Sequence, residues 1–154
     1  MSIFTINSIG AVSNERKTPE DDFWGEVVSV INLEKEWDIS CLDGIESFSH
    51  LEIIYLFHLV SDENIQYTSR HPRNNKEFPK VGIFAQRGKN RPNKIGATIV
   101  EFIKKEELSI MVKGLDAIDG TPIIDIKPVM KEFLPKGETK QPLWASELME
   151  NYWE

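Results

Sequence analysis

The sequence predicts a mostly β protein, a single small β-barrel of about seven strands with a short C-terminal helix. Apolar residues either alternate with polar ones or form short β-branched and aromatic runs, as strands do. Glycine, proline, asparagine and aspartate gather between those runs, as turns require. Nothing alternates strand with helix in the manner of a βαβ unit. At 154 residues the chain suits one domain around one core, about residues 3–129, with a tail and helix over 130–154.

Phe4 to Val12 sets Phe4, Ile6, Ile9 and Val12 among polar neighbours and reads as a strand, with Gly10 as a bulge. Asn14 to Asp22 is polar, contains Pro19 and reads as a loop. It runs into Asp21-Asp22-Phe23-Trp24-Gly25, where paired acids meet two aromatics that either wall a ligand pocket or plug the core. Glu26 to Leu33 is a strand with Val27, Ser29 and Ile31 on one face and Val28 and Val30 on the other. Glu34 to Ser40 turns the chain. Leu42 to Phe48 is a tight turn in which Gly44 is free to take positive φ. Ser49 to Val60 is the most apolar run and reads as a central strand.

Ser61 to Lys80 is a long polar and basic loop, a kind of segment that is usually functional or disordered. Val81 to Ala85 and Ile95 to Phe102 read as strands, Lys104 to Glu107 as a turn and Leu108 to Leu115 as a strand. Asp119-Gly120 signals a turn before a last strand, Ile123 to Val129, stopped by Pro128. Lys136 to Pro142 is loop. Leu143, Trp144, Leu148 and Tyr152 fall at helical spacing, so Leu143 to Tyr152 is predicted to be a helix.

Charge is distributed unevenly. The chain carries −7 overall, which argues against a protein that coats nucleic acid. Residues 68–94, however, hold eight basic side chains against the one acid Glu77, a net of +7, so the remainder carries −14. Such a split suits a local anion site, unless the basic stretch is neutralised by the acidic body. The densest part is Gly82 to Gly96, which packs Arg87, Lys89, Arg91 and Lys94 between two apolar runs. Hydrophobic content of 40% and charged content of 28% fit a soluble globular protein. No apolar run reaches membrane-helix length, so no membrane association is expected. Met1-Ser2-Ile3-Phe4-Thr5 lacks a basic region before an apolar core, so no secretory signal is expected. The lone Cys41 cannot make an internal disulfide and fits the cytoplasm.

The familiar catalytic motifs are missing: no Gly-x-Gly-x-x-Gly, no Walker loop, no Gly-x-Ser-x-Gly elbow, and no base beside Cys41. His50 and His58, eight apart on one strand, would stand roughly 26 Å apart. They cannot share a metal, and no metal site is expected. What remains are two acidic turns, Asp21/Asp22 and Asp116/Asp119, the basic loop, and the surroundings of Trp24 and His58. Carboxylates grip ribose hydroxyls and arginines grip carboxylates or phosphates, so the set suits a nucleoside-bearing ligand. It does not by itself specify a reaction.

Three long stretches in order, Leu42 to His50, Gly82 to Gly96 and Leu115 to Pro128, resemble the TsaA-like β-barrel family, also called TrmO. The resemblance spans nearly the whole chain from Ile9-Gly10 to Pro128. It implies an S-adenosylmethionine-dependent methyltransferase acting as a homodimer on tRNA beside the anticodon, at N6 of the threonylcarbamoyl-modified adenosine of position 37. By the matched motifs, the cofactor is expected at Phe23, Trp24, Gly25, Phe57, His58, Arg87, Ala97, Lys113, Gly114, Leu115 and Asp116. Asp119 is the expected proton acceptor, with Arg91 and Asn93 beside it in the catalytic set. Arg70, Arg73, Lys89, Arg91 and Lys94 are expected to face the RNA. Two positions depart from the family pattern: Lys94 replaces a frequent proline, and His71 replaces another. The C-terminal extension of longer relatives is not expected after Glu154. Two rival readings stand beside this one: methylation of another small-molecule or RNA substrate, and a non-catalytic barrel that holds a nucleotide or RNA.

Overall fold

The alternation that marks strands in the sequence becomes an inside and an outside in the computed structural model, which describes residues 1–154. In β3 (His50–Leu56), Leu51, Ile53 and Tyr55 are buried and their neighbours are not. β2 (Val28–Leu33) turns Ser29 and Ile31 inward, β7 (Ser109–Lys113) turns Ile110 and Val112, and β6 (Ile95–Glu106) turns Gly96, Thr98 and Val100. With β1 (Gly10–Ser13) and β8 (Pro122–Pro128) these close a barrel in the order β1-β2-β7-β6-β3-β8, and every neighbouring pair is antiparallel. Closure leaves no sheet edge to protect. Twelve buried residues form one core cluster. Leu42, from the turn before β3, closes one end of it, and Leu115 and Ala117, after β7, close the other.

The barrel is mostly β, as predicted, but it has six strands, and several predicted strands change. Ser49 to Val60 shortens to β3, which leaves His58 beyond the strand that carries His50. Phe4 to Val12 shrinks to β1. Met1, Ile3, Phe4 and Ile6 lie exposed outside the sheet, and Gly10 opens β1 in regular register opposite Leu33 rather than forming a bulge. Val81 to Ala85 is not a barrel strand. Its first two residues form β5 (Val81–Gly82), which pairs only with β4 (Ser69–Arg70) in a two-stranded ribbon. Ile83–Ala85 then winds into a 3-10 turn that buries Ile83 and leaves Phe84 exposed. An apolar run with one inward residue cannot supply a barrel stave. β6 runs four residues past Phe102, so the expected turn at Lys104 is still strand.

The C-terminal helix α1 (Leu143–Leu148) is shorter than the predicted Leu143–Tyr152. It ends before Tyr152, and the chain beyond it folds back onto the barrel. That return shapes the site.

Candidate functional site

β3 ends, β6 begins and β7 ends at the same mouth of the barrel. There the carboxylate of Asp116, just past β7, collects three hydroxyl donors. Its Oδ1 accepts from Tyr55 at 2.9 Å and from Thr98, and its Oδ2 accepts from Tyr152. Tyr55 and Thr98 reach it because both point inward from adjacent strands, and Gly96 lets them. A Cβ on Gly96 would lie 2.5 Å from the Tyr55 ring, so only glycine opposite Tyr55 leaves room for it. Burial, then the negative charge of Asp116, pushes the phenol pKa of both Tyr55 and Tyr152 well above the usual tyrosine range. Both therefore remain donors at neutral pH. Arg87 donates to the carbonyl of Ala97 in β6, and its charge is felt by both phenols. No Lys, Arg or His forms an ion pair with Asp116. The mouth thus holds an uncompensated carboxylate with a guanidinium nearby.

Phe23, Trp24 and Gly25 line the same region. Trp24 is 2% exposed, lies beneath the Arg16 guanidinium at 4.9 Å, and its indole N–H has no acceptor in the chain. A buried donor left without a partner costs about 1–3 kcal/mol. The residues after α1 run alongside: the amides of Phe23 and Trp24 donate to the carbonyls of Asn151 and Tyr152 at 3.1 and 2.9 Å. A Cβ on Gly25 would sit 2.0 Å from the Trp153 carbonyl, so this contact demands glycine. The backbone of Gly114 closes the other side by donating to Val27 at 2.9 Å. Phe57 packs edge-on against Tyr55 with ring centroids 5.3 Å apart, and His58 follows it half-buried. Lys113 points to Glu26 at 2.8 Å, a contact that raises its pKa. The residues expected around the cofactor thus cluster at one mouth. Tyr55, Thr98, Arg16 and Tyr152 join them without any sequence signal short of the folded register.

The basic stretch is only partly neutralised. Arg73 is paired with Asp22 at 2.7 Å and Lys94 with Asp62 at 2.7 Å, and Lys94 also donates to the Val60 carbonyl. Arg70, Lys76, Lys80, Lys89 and Arg91 meet no carboxylate. Arg91 instead donates to the Gln86 carbonyl, and Asn93 takes a left-handed φ of 64° in the turn before β6. Asp119 faces elsewhere. It accepts from Lys17 at 2.9 Å and from the Asn14 amide at 3.1 Å, and the lysine contact first, the amide second, hold its carboxyl below the usual range. It ties the loop after β1 to the turn before β8.

A cavity of 440 Å³ lies at the opposite end of the barrel, where β2 ends at Leu33 and β8 ends at Pro128. It is mainly apolar, with Trp37, Leu42, Phe48 and Ile126 in its wall. That end offers an apolar hollow; the convergence of charge and hydrogen bonds favours the Asp116 mouth. Polar convergence is the better guide to a polar ligand, because a few placed polar groups fix orientation. No group of three or more His, Cys, Asp or Glu is placed to hold a metal ion.

A family model described as the tRNA-methyltransferase O N-terminal domain matches residues 10–133. A probable S-adenosyl-L-methionine-binding protein of Methanothermobacter thermautotrophicus is 34% identical over 131 residues, covering 82% of this chain and 90% of its own length. The human tRNA (adenine(37)-N6)-methyltransferase is 36% identical over 110 residues, 71% of this chain but 24% of that protein. The chain therefore spans most of the archaeal relative and about a quarter of the human one. The crystal structure of TrmO from Pseudomonas aeruginosa superimposes with a TM-score of 0.73 at 22% identity, over 92% of this chain and 63% of that one, a likeness of fold.

Proposed function

The chain belongs to the tRNA-methyltransferase O N-terminal domain family, and from that premise we propose that it is an S-adenosylmethionine-dependent tRNA methyltransferase acting on N6 of threonylcarbamoyl-adenosine at position 37. The observation that carries the proposal is the Asp116 mouth: a carboxylate without a cation partner, beside Arg87, next to a basic face that is mostly unpaired.

The donor set fits such a cofactor. A methionyl group needs an anion for its ammonium and a cation for its carboxylate, which Asp116 and Arg87 supply, and the free indole N–H of Trp24 needs an acceptor. In this reading Phe23, Trp24, Gly25, Phe57, His58, Ala97 and the backbone of Lys113, Gly114 and Leu115 form the walls. When bound, the cofactor supplies an electrophilic methyl group on a sulfonium. The chain's part is then positioning, since the acceptor nitrogen is acylated and weakly nucleophilic. Arg91 and Asn93, in the turn between the basic loop and β6, orient the acceptor. Arg70 and Lys89 take phosphates directly. Arg73 and Lys94 do so only by sharing with, or leaving, Asp22 and Asp62. Asp119 accepts the N6 proton only if Lys17 yields it, which makes it a weak base.

The proposal includes a homodimer in the cytoplasm. Val28 on β2 and Ile99 and Ile103 on β6 expose apolar side chains on one wall of the barrel, which β7 completes. The decisive test incubates the purified chain with S-adenosylmethionine and tRNA that carries unmethylated threonylcarbamoyl-adenosine, followed by nucleoside mass spectrometry. A new methyl group on N6 is expected. Methylation of a different nucleoside, or none, sinks the proposed substrate.

A further inference from the structure

We propose that Tyr152 is a positioning residue of the cofactor site, with residues 151–153 forming a fixed wall of that site rather than a removable cover. The inference rests on the cofactor reading above. It begins with the accounting of one carboxylate. Oδ1 of Asp116 has two donors, Tyr55 and Thr98, both on barrel strands. Oδ2 has Tyr152 alone. The strands therefore fix where the carboxylate sits, and Tyr152 fixes how it is turned. An ionised carboxylate offers about four acceptor sites; three are used here, and what is left faces whatever the mouth admits.

All three donors are neutral hydroxyls. They orient Asp116 without cancelling its charge, as a site for an ammonium or ribose group requires. The raised phenol pKa of Tyr152 keeps its proton in place through neutral pH.

The segment carrying Tyr152 is built in. Two backbone hydrogen bonds join it to Phe23 and Trp24, and Gly25 is bare where the Trp153 carbonyl lies. Phe23 holds a positive φ of 65°, unusual for an aromatic residue, at the position where its amide meets Asn151. The Tyr152 and Trp153 rings stack edge to face with centroids 4.8 Å apart, which stiffens the segment. A cover meant to leave would not require a glycine and a left-handed phenylalanine beneath it.

Calorimetric titration with S-adenosylmethionine tests this on the full chain, comparing Tyr152→Phe, Asp116→Asn and the double variant. Tyr152→Phe keeps the ring and loses one hydrogen bond to a charged group, so Kd is expected to rise about tenfold. The double variant is expected to bind no more weakly than Asp116→Asn alone, because Tyr152 acts through Asp116. A role in folding alone would not produce that coupling. Gly25→Ala, which pushes the Trp153 carbonyl away, is expected to weaken binding in the same direction. Unchanged affinity in Tyr152→Phe, additive losses in the double variant, or tighter binding in either Tyr152→Phe or Gly25→Ala overturns the inference. Absence of any binding by the unsubstituted chain overturns the cofactor reading and this inference with it.

Discussion

The two ends of the barrel solve the same closure problem differently. At the Asp116 mouth the plug is Leu115, fully buried, under a lattice of hydroxyls, a carboxylate and a returning segment of chain. At the other end the plug is Leu42, under a turn that leaves a 440 Å³ apolar cavity. The first end is ordered by directional bonds that converge on one carboxylate. The second is held mainly by apolar packing and the hydrogen bonds of its own turns, with Lys105 donating to the Leu42 carbonyl at 3.2 Å, and no polar group converges into its cavity as at the mouth. Hydrogen bonds are exchanged for water bonds at little net gain, so the ordered mouth is not the more economical way to close a barrel. It makes sense if that end must keep a carboxylate in a set orientation, which is a requirement of binding rather than of folding.

Truncation of the two plugs gives the largest expected contrast. Leu115→Ala empties a closed site and is expected to cost about 3–5 kcal/mol, whereas Leu42→Ala enlarges an existing void and is expected to cost about 2 kcal/mol, toward the bottom of the usual range for such truncations. Urea denaturation with a common m-value measures both. Equal losses would mean that the cavity end is as tightly packed as the mouth. A smaller effect is expected at Gly96→Ala, where the new methyl must displace the Tyr55 ring. Overpacking of this kind costs about 1–3 kcal/mol. It should also weaken S-adenosylmethionine binding, because Tyr55 can no longer reach Asp116. Loss of stability with unchanged binding would separate Tyr55 from the site.

The parts of this arrangement that are local in sequence were legible in it. Alternation marks the inward face of β2, β-branched and aromatic runs mark β3, β6 and β7 as strands, and Asp119-Gly120 marks its turn. The stretches that carry the family resemblance contain Arg87 and Asp116, and the family they point to brings Phe23 to Gly25 into view beside them. Tyr152 was not legible. Its helical spacing with Leu148 makes it look like the last residue of an amphipathic helix, while its actual partner, Asp116, lies 36 positions away and is reached only after the chain folds back. Val81 to Ala85 misleads for the opposite reason. It has the composition of a strand, but no neighbour in the barrel is free to pair with it. Gly96 carries its meaning in the ring of Tyr55, which no pattern within β6 reveals. The ion pairs of Arg73 and Lys94 were equally hidden, because their acidic partners come from other loops.

The smallest expected effect separates Asp119 from Asp116, two aspartates three residues apart with different duties. Asp119 sits in the turn before β8 and is held as an anion by Lys17 and the Asn14 amide, so its folded pKa lies below the unfolded value of about 3.9. A depressed carboxyl contributes stability that is fully present above the unfolded pKa and is lost as pH falls through the folded one. Asp119→Asn keeps an acceptor for the Asn14 amide and removes only the charge. Its melting temperature should therefore sit slightly below that of the unsubstituted chain at neutral pH, and the two curves should converge as the medium is acidified below about pH 4. Curves that stay parallel throughout would show that Lys17 and Asp119 do not interact in solution. The same variant addresses the proposed proton transfer. An anion held by a lysine is a poor acceptor, so full turnover with normal cofactor affinity in Asp119→Asn would leave it the structural task of joining the loop after β1 to the turn before β8. Loss of turnover with normal affinity would mean that substrate draws Lys17 away and frees the carboxylate to act.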